Sequence, residues 1–130
     1  MSEPVRVLVV DDQAPFRAAA RKLVARMRGF ELAGEAATGE DAVEQAARLR
    51  PDLVLMDIKL PGIDGIEATR RVLAGAPATV VVLTSTYQPS DLPDGAGTCG
   101  AAGYVRKEEL TPALLAELYG ATPPAAAAPG

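Results

Sequence analysis

Residues 52–65 read DLVLMDIKLPGIDG, and this stretch decides the fold. Leu53 to Met56 is an unbroken apolar run of strand length that stops on an acid, Asp57. A Leu60-Pro61-Gly62 turn follows at once. An apolar run without alternation suits a strand covered on both faces, as in a parallel sheet. The same pattern recurs on either side. Val5 to Val10 ends on Asp11 and Asp12, Thr79 to Leu83 ends on Thr84, and Gly103 to Arg106 ends at Lys107. Phe30 to Ala36 reads as a further, more polar strand.

Helical patterns fill the intervals. Phe16, Ala19, Ala20, Leu23, Val24 and Met27 recur at helical spacing, which predicts a helix over 14–28 with Pro15 in its first turn and Gly29 as its stop. Thr38 is a natural N-cap, and Asp41 stands where a capping box usually has Glu or Gln. Ala42, Val43, Ala46 and Leu49 form the inner stripe of that second helix, which stops before Pro51. A third helix is expected from about Asp64 to Ala74, and a last one from Thr111 to Tyr119 with Leu114, Leu115 and Leu118 inward. Pro89, Pro93, Gly95, Gly97 and Gly100 crowd the place of a fourth helix, so that helix is expected to be irregular, shortened or late to start. Five strands alternating with about five helices give an α/β fold, a doubly wound parallel sheet with right-handed crossovers. Residues 1–120 form one domain, and 121–130, ATPPAAAAPG, read as a Pro/Ala-rich tail or linker.

In such sheets the ligand site lies beyond the carboxyl ends of the strands. Asp11, Asp12, Asp57, Thr84 and Lys107 all fall on that rim. Taken singly, each has an ordinary explanation as a cap, a turn residue, a β-former or a solvated cation. Their joint placement at successive strand ends is what carries information. A like-charge carboxylate pair ~4 Å apart costs about 4 kcal/mol at an effective dielectric near 20, so the cluster asks for a cation. All-oxygen ligation with room for water suits Mg²⁺ or Mn²⁺. Such an ion neutralises an incoming phosphoryl group and aligns it for transfer to a carboxylate oxygen. Lys107 can pair with a phosphoryl oxygen and Thr84 can hydrogen-bond another.

The bulk composition narrows the function classes. With 17 acidic residues against 13 basic, the net charge of −4 argues against direct nucleic-acid binding, which needs a basic face. The absence of His removes any imidazole base, phosphodonor or metal ligand. Cys99 has no partner for an internal disulfide and is expected to be a small buried filler in a reducing, cytoplasmic setting. The first residues do not resemble a signal peptide, and no apolar run has the length of a membrane span.

The pieces VLVVDD (7–12), DLVLMDIKLPGIDG (52–65), VVVLTS (80–85) and GYVRK (103–107) together resemble the response-regulator receiver family over roughly residues 5–119. Residues 34–68, GEAATGEDAVEQAARLRPDLVLMDIKLPGIDGIEA, are similar to the branch whose members often carry a C-terminal helix-turn-helix. The resemblance implies the flavodoxin-like strand order 2-1-3-4-5. It implies Asp57 as phosphoacceptor, Mg²⁺ (or Mn²⁺) held by Asp11, Asp12, Asp57 and the backbone carbonyl of Lys59, and phosphoryl contacts from Thr84 and Lys107. It further implies a switch in which Tyr104 moves inward as Thr84 shifts, and a sensor histidine kinase as phosphodonor. A downstream effector or dimer mate is expected to use residues 84–107, and no cis peptide is expected after Lys107, where Glu108 replaces the proline of many members. Three other readings compete with this one. An aspartate-nucleophile hydrolase usually has a second Asp where Lys59 stands. A flavodoxin-like carrier needs a phosphate cradle where Asp11 and Asp12 would repel one. A non-phosphorylated receiver-like scaffold acting by protein contact is separated by its failure to take up a phosphoryl label.

Overall fold

The computed structural model describes residues 3–120. Strands β1 (Val5–Val10), β2 (Phe30–Ala36), β3 (Leu53–Asp57), β4 (Val80–Ser85) and β5 (Gly103–Arg106) pair in parallel in the order β2-β1-β3-β4-β5. Every residue of β3 and β4 is buried, as their unbroken apolar runs require. The two-residue period of the strands divides the core into two layers. Leu8, Val10, Val54, Met56, Val81 and Leu83 face helices α2 (Gly39–Leu49) and α3 (Gly65–Gly75). Val7, Val9, Leu53, Leu55 and Val82 face α1 (Ala14–Ala25) and α4 (Pro112–Gly120), where Ala20, Val24 and Leu115 close the layer. Full burial of one such aliphatic side chain contributes roughly 1.5–3 kcal/mol, so these layers dominate the favourable side of folding.

The helix boundaries follow their caps. Thr38 Oγ1 accepts from the Asp41 amide at 3.0 Å, as the sequence predicts, but Asp41 turns its carboxylate to Gln45 Nε2 at 3.0 Å. Asp64 is the N-cap of α3, its Oδ1 accepting from Glu67 N at 2.9 Å. Helix α1 ends at Ala25 rather than 28, and Ala19, placed on its inner stripe by periodicity, is exposed. Met27 is nonetheless buried, because the chain turns at Arg26 and packs it under the same layer.

Four α-helices are present among the described residues, not five. Between β4 and β5 the chain makes one short 3-10 turn, Pro89–Asp91, and isolated turns closed by Ala96 N to Pro93 O and Thr98 N to Gly95 O. Two prolines remove helical donors, and Gly95 and Gly100 sit at φ +91° and +102°, outside helical space. Cys99 anchors this segment in the α2–α3 layer at 6% exposure. The stretch 121–130 lies outside the described residues. No described helix is long and apolar enough to cross a membrane.

Candidate functional site

The ends of four strands meet at one rim. Asp57 closes β3 and lies in register with Thr84 on β4. Asp11 follows β1 and Lys107 follows β5. One carboxylate oxygen from each of Asp11, Asp12 and Asp57 lies within 4.8 Å of the others. Asp11 has no exposed surface, Asp57 is buried, and Asp12 faces solvent. The three carboxylates and Lys107 that the sequence picked out are therefore brought together.

The first loop is held by short-range geometry. Gln13 N donates to Asp11 Oδ1 at 2.8 Å, turning the chain into α1. Arg17, one turn into that helix, reaches back and donates to the Asp11 carbonyl at 2.7 Å. Its guanidinium also pairs with Glu35 of β2 at 3.4 Å, and Arg21 pairs with the same carboxylate at 2.8 Å. These contacts hold Glu35 below the usual carboxylate range, with the Arg21 hydrogen bond the largest cause. The second loop is held by α2: Glu40 Oε2 accepts from Ile63 N at 3.0 Å. At the base of α3, Gly65 N donates to Ile58 O at 2.8 Å. A Cβ on Gly65 would lie 2.8 Å from Ile58 Cα and closer still to the Asp57 carbonyl oxygen, so only glycine lets α3 approach the strand end.

The ammonium of Lys107 stands 2.7 Å from Asp11 Oδ2 and 3.5 Å from Asp57 Oδ2, and 4.9 Å from the centre of the Phe16 ring. Both Asp11 oxygens thus have close partners. Among the described residues, Asp57 has only a long contact to Lys107 and a weak one from Lys59 N to Oδ1, at 3.4 Å. Asp57 is the less committed carboxylate, buried and available. Burial pushes its pKa up from 3.8 to about 6; the neighbouring Asp11 charge adds to the rise, and Lys107 and the Lys59 amide offset part of it. An oxygen-only cluster with more negative charge than one ammonium can balance fits a hard divalent cation.

An open cleft of about 470 Å³ lies over the cluster, lined by Asp12, Asp57, Lys59, Ser85, Thr86 and Lys107 among others. The side chain of Lys59 is exposed. The Thr84 hydroxyl is fully buried and has no hydrogen-bond partner among the described residues. Tyr104, opposite Leu83 on β5, is half-buried and donates its hydroxyl to the Tyr87 carbonyl. No cis peptide is present among the described residues, as expected with Glu108 after Lys107. Sequence reasoning missed the roles of Arg17, Glu40 and Gly65. Arg17 was visible as an arginine beside the inner stripe just past two aspartates. The Glu40 contact links residues 23 apart and left no local signal.

Residues 7–119 match the family described as the response regulator receiver domain. The chain is 40% identical over 114 residues to the response regulator GacA of Pseudomonas aeruginosa, covering 85% of this chain and 53% of that protein. It spans about half the length of the curated relatives it matches first. The signal receiver domain of the putative response regulator NarL from Mycobacterium tuberculosis superposes with a TM-score of 0.80 at 31% identity, covering 92% of this chain and 99% of that one. The CheX-CheY-BeF3-Mg complex from Borrelia burgdorferi matches with a TM-score of 0.78 at 25% identity, over 89% of this chain and 87% of that one.

Proposed function

Because the chain belongs to the response regulator receiver family, a family of phosphoacceptor switches rather than catalytic enzymes, we propose that Asp57 is its phosphoacceptor and that residues 84–107 present the change to a partner. The observation that carries this reading is the under-committed, buried Asp57 carboxylate set beside Asp11, Asp12 and Lys107. A receiver implies a partner histidine kinase. One Asp57 oxygen forms a bond to phosphorus as the bond from phosphorus to the donor breaks, at a phosphohistidine nitrogen or an acyl phosphate oxygen. Asp11, Asp12, Asp57 and the Lys59 carbonyl would hold Mg²⁺ or Mn²⁺, which when bound neutralises charge on the phosphoryl oxygens. Lys107 exchanges its contact with the Asp57 carboxylate for one with a phosphoryl oxygen, remaining tied to Asp11. The unpartnered Thr84 hydroxyl has a hydrogen bond to give, and its shift would open space for Tyr104.

The domain runs to about residue 120, in a cytoplasmic protein. Its likeness to GacA and to NarL-type receivers supports membership of the branch that often carries a C-terminal helix-turn-helix, so this domain would govern an output elsewhere rather than bind DNA itself. Beryllofluoride and magnesium, named in the Borrelia complex, are suitable probes of this site. Mass spectrometry after incubation with acetyl phosphate and Mg²⁺ tests the reading. The wild type gains one phosphoryl group and Asp57→Asn gains none. A wild type that gains none is instead a scaffold acting by contact, and a label mapped to Asp11 or Asp12 moves the acceptor to the first loop.

A further inference from the structure

Ser85 follows Thr84 at the end of β4, lines the cleft over Asp57 and is 2% exposed. Its hydroxyl oxygen accepts from the Tyr87 amide at 3.0 Å. The carbonyl of the same Tyr87 accepts from the Tyr104 hydroxyl. Tyr87 is thus tied at both its amide and its carbonyl, once to a cleft residue and once to β5. It opens the stretch that stands where a helix is absent, so little else of regular structure holds that stretch in place. A serine hydroxyl has one proton to donate and turns about one bond. In the cleft, a charged phosphoryl oxygen is a strong acceptor for that proton. Turning toward it swings the Ser85 oxygen away from the Tyr87 amide.

We propose that Ser85 is a positioning residue that couples the phosphoryl site to the segment 86–102 by holding the Tyr87 amide only while the cleft lacks a phosphoryl group. This rests on the phosphoacceptor reading of Asp57, and adds to it a second hydroxyl with a route outward that does not pass through Thr84. Such a residue sets how strongly the segment answers to phosphorylation.

The test is amide hydrogen exchange of Tyr87 by NMR, with Mg²⁺ present, with and without saturating beryllofluoride; occupancy is read from the bound ¹⁹F signal. In the wild type, beryllofluoride should speed Tyr87 exchange roughly fivefold, what one ordinary hydrogen bond is worth. In Ser85→Ala the amide should exchange fast from the start and gain nothing on occupancy. Ser85→Thr, which keeps the hydroxyl, should restore the response. Tyr104→Phe frees the Tyr87 carbonyl but should leave its amide responsive, a distinction that general loosening of the loop would not produce. Full occupancy without a change at the wild-type Tyr87 amide, or a fivefold response surviving in Ser85→Ala, overturns the proposal. Absence of any bound ¹⁹F signal in the wild type would instead overturn the phosphoacceptor reading, and this inference with it.

Discussion

Asp57→Asn should make the metal-free protein more stable at neutral pH, even as it removes the proposed acceptor. Asp57 ionises in a buried place beside Asp11, and its pKa rises from 3.8 to about 6. An acid with a raised folded-state pKa works against folding once it is charged. Above pH 6 both states carry the charge and the cost is complete. Between 6 and 3.8 the folded state takes up a proton that the unfolded state does not, so stability returns as pH falls. At about 1.36 kcal/mol per pH unit this range comes to about 3 kcal/mol. The Asn amide, lacking an evident partner, takes back about 1 kcal/mol, which leaves a net gain of about 2 kcal/mol. Lys107 is not stranded, because Asp11 stays 2.7 Å away. Urea unfolding in EDTA measures the gain directly. With a slope of ~2 kcal/mol per molar, the midpoint of the variant should lie about 1 M higher at pH 7.5. The gap should close as pH falls toward 4. Equal midpoints at pH 7.5, or a gap that widens on acidification, would refute the account of Asp57 as an electrostatically costly residue.

Asp12→Ala should weaken Mg²⁺ binding and acetyl phosphate labelling together; unchanged affinity by calorimetry removes Asp12 from the ligand set. Gly65→Ala forces α3 off the end of β3, so it should cost about 1–3 kcal/mol in denaturant melts and slow labelling of Asp57. Glu40→Gln should leave the fold intact but weaken the grip on Ile63, seen as faster exchange of that amide and a rise of a few fold in the Mg²⁺ concentration needed for labelling. Phosphorylation or beryllofluoride should alter hydrogen exchange most within 84–107; changes confined to the loops at Asp12 and Asp57 would argue against that segment as the partner face.

Much of this was legible in the sequence because the chemistry sits where the strands stop. A buried parallel strand announces itself by an unbroken apolar run, and the first polar residue after it is placed by topology. That logic located Asp11, Asp12, Asp57 and Lys107. It also found the weak region at 87–100, since two prolines and three glycines leave few helical hydrogen bonds. The supporting contacts were not legible. Arg17 to the Asp11 carbonyl, Glu40 to Ile63 N and Tyr104 to the Tyr87 carbonyl each pair a side chain with a backbone group, and backbone groups are the same at every position. Ala19 misled for a related reason: alanine is at home on either side of a helix, so periodicity alone could not orient it.

Lys107 follows the last and shortest strand among the described residues, which pairs there only with β4 at the edge of the sheet. During synthesis, Asp11, Asp12 and Asp57 emerge long before it. A nascent chain that has folded through β4 would hold three crowded carboxylates with no ammonium among them. The balancing ammonium therefore arrives only when residues 103–107 pair with the edge of β4. The cluster is completed by the edge strand of the sheet, so a fold stalled before β5 docks holds its carboxylates without their ammonium.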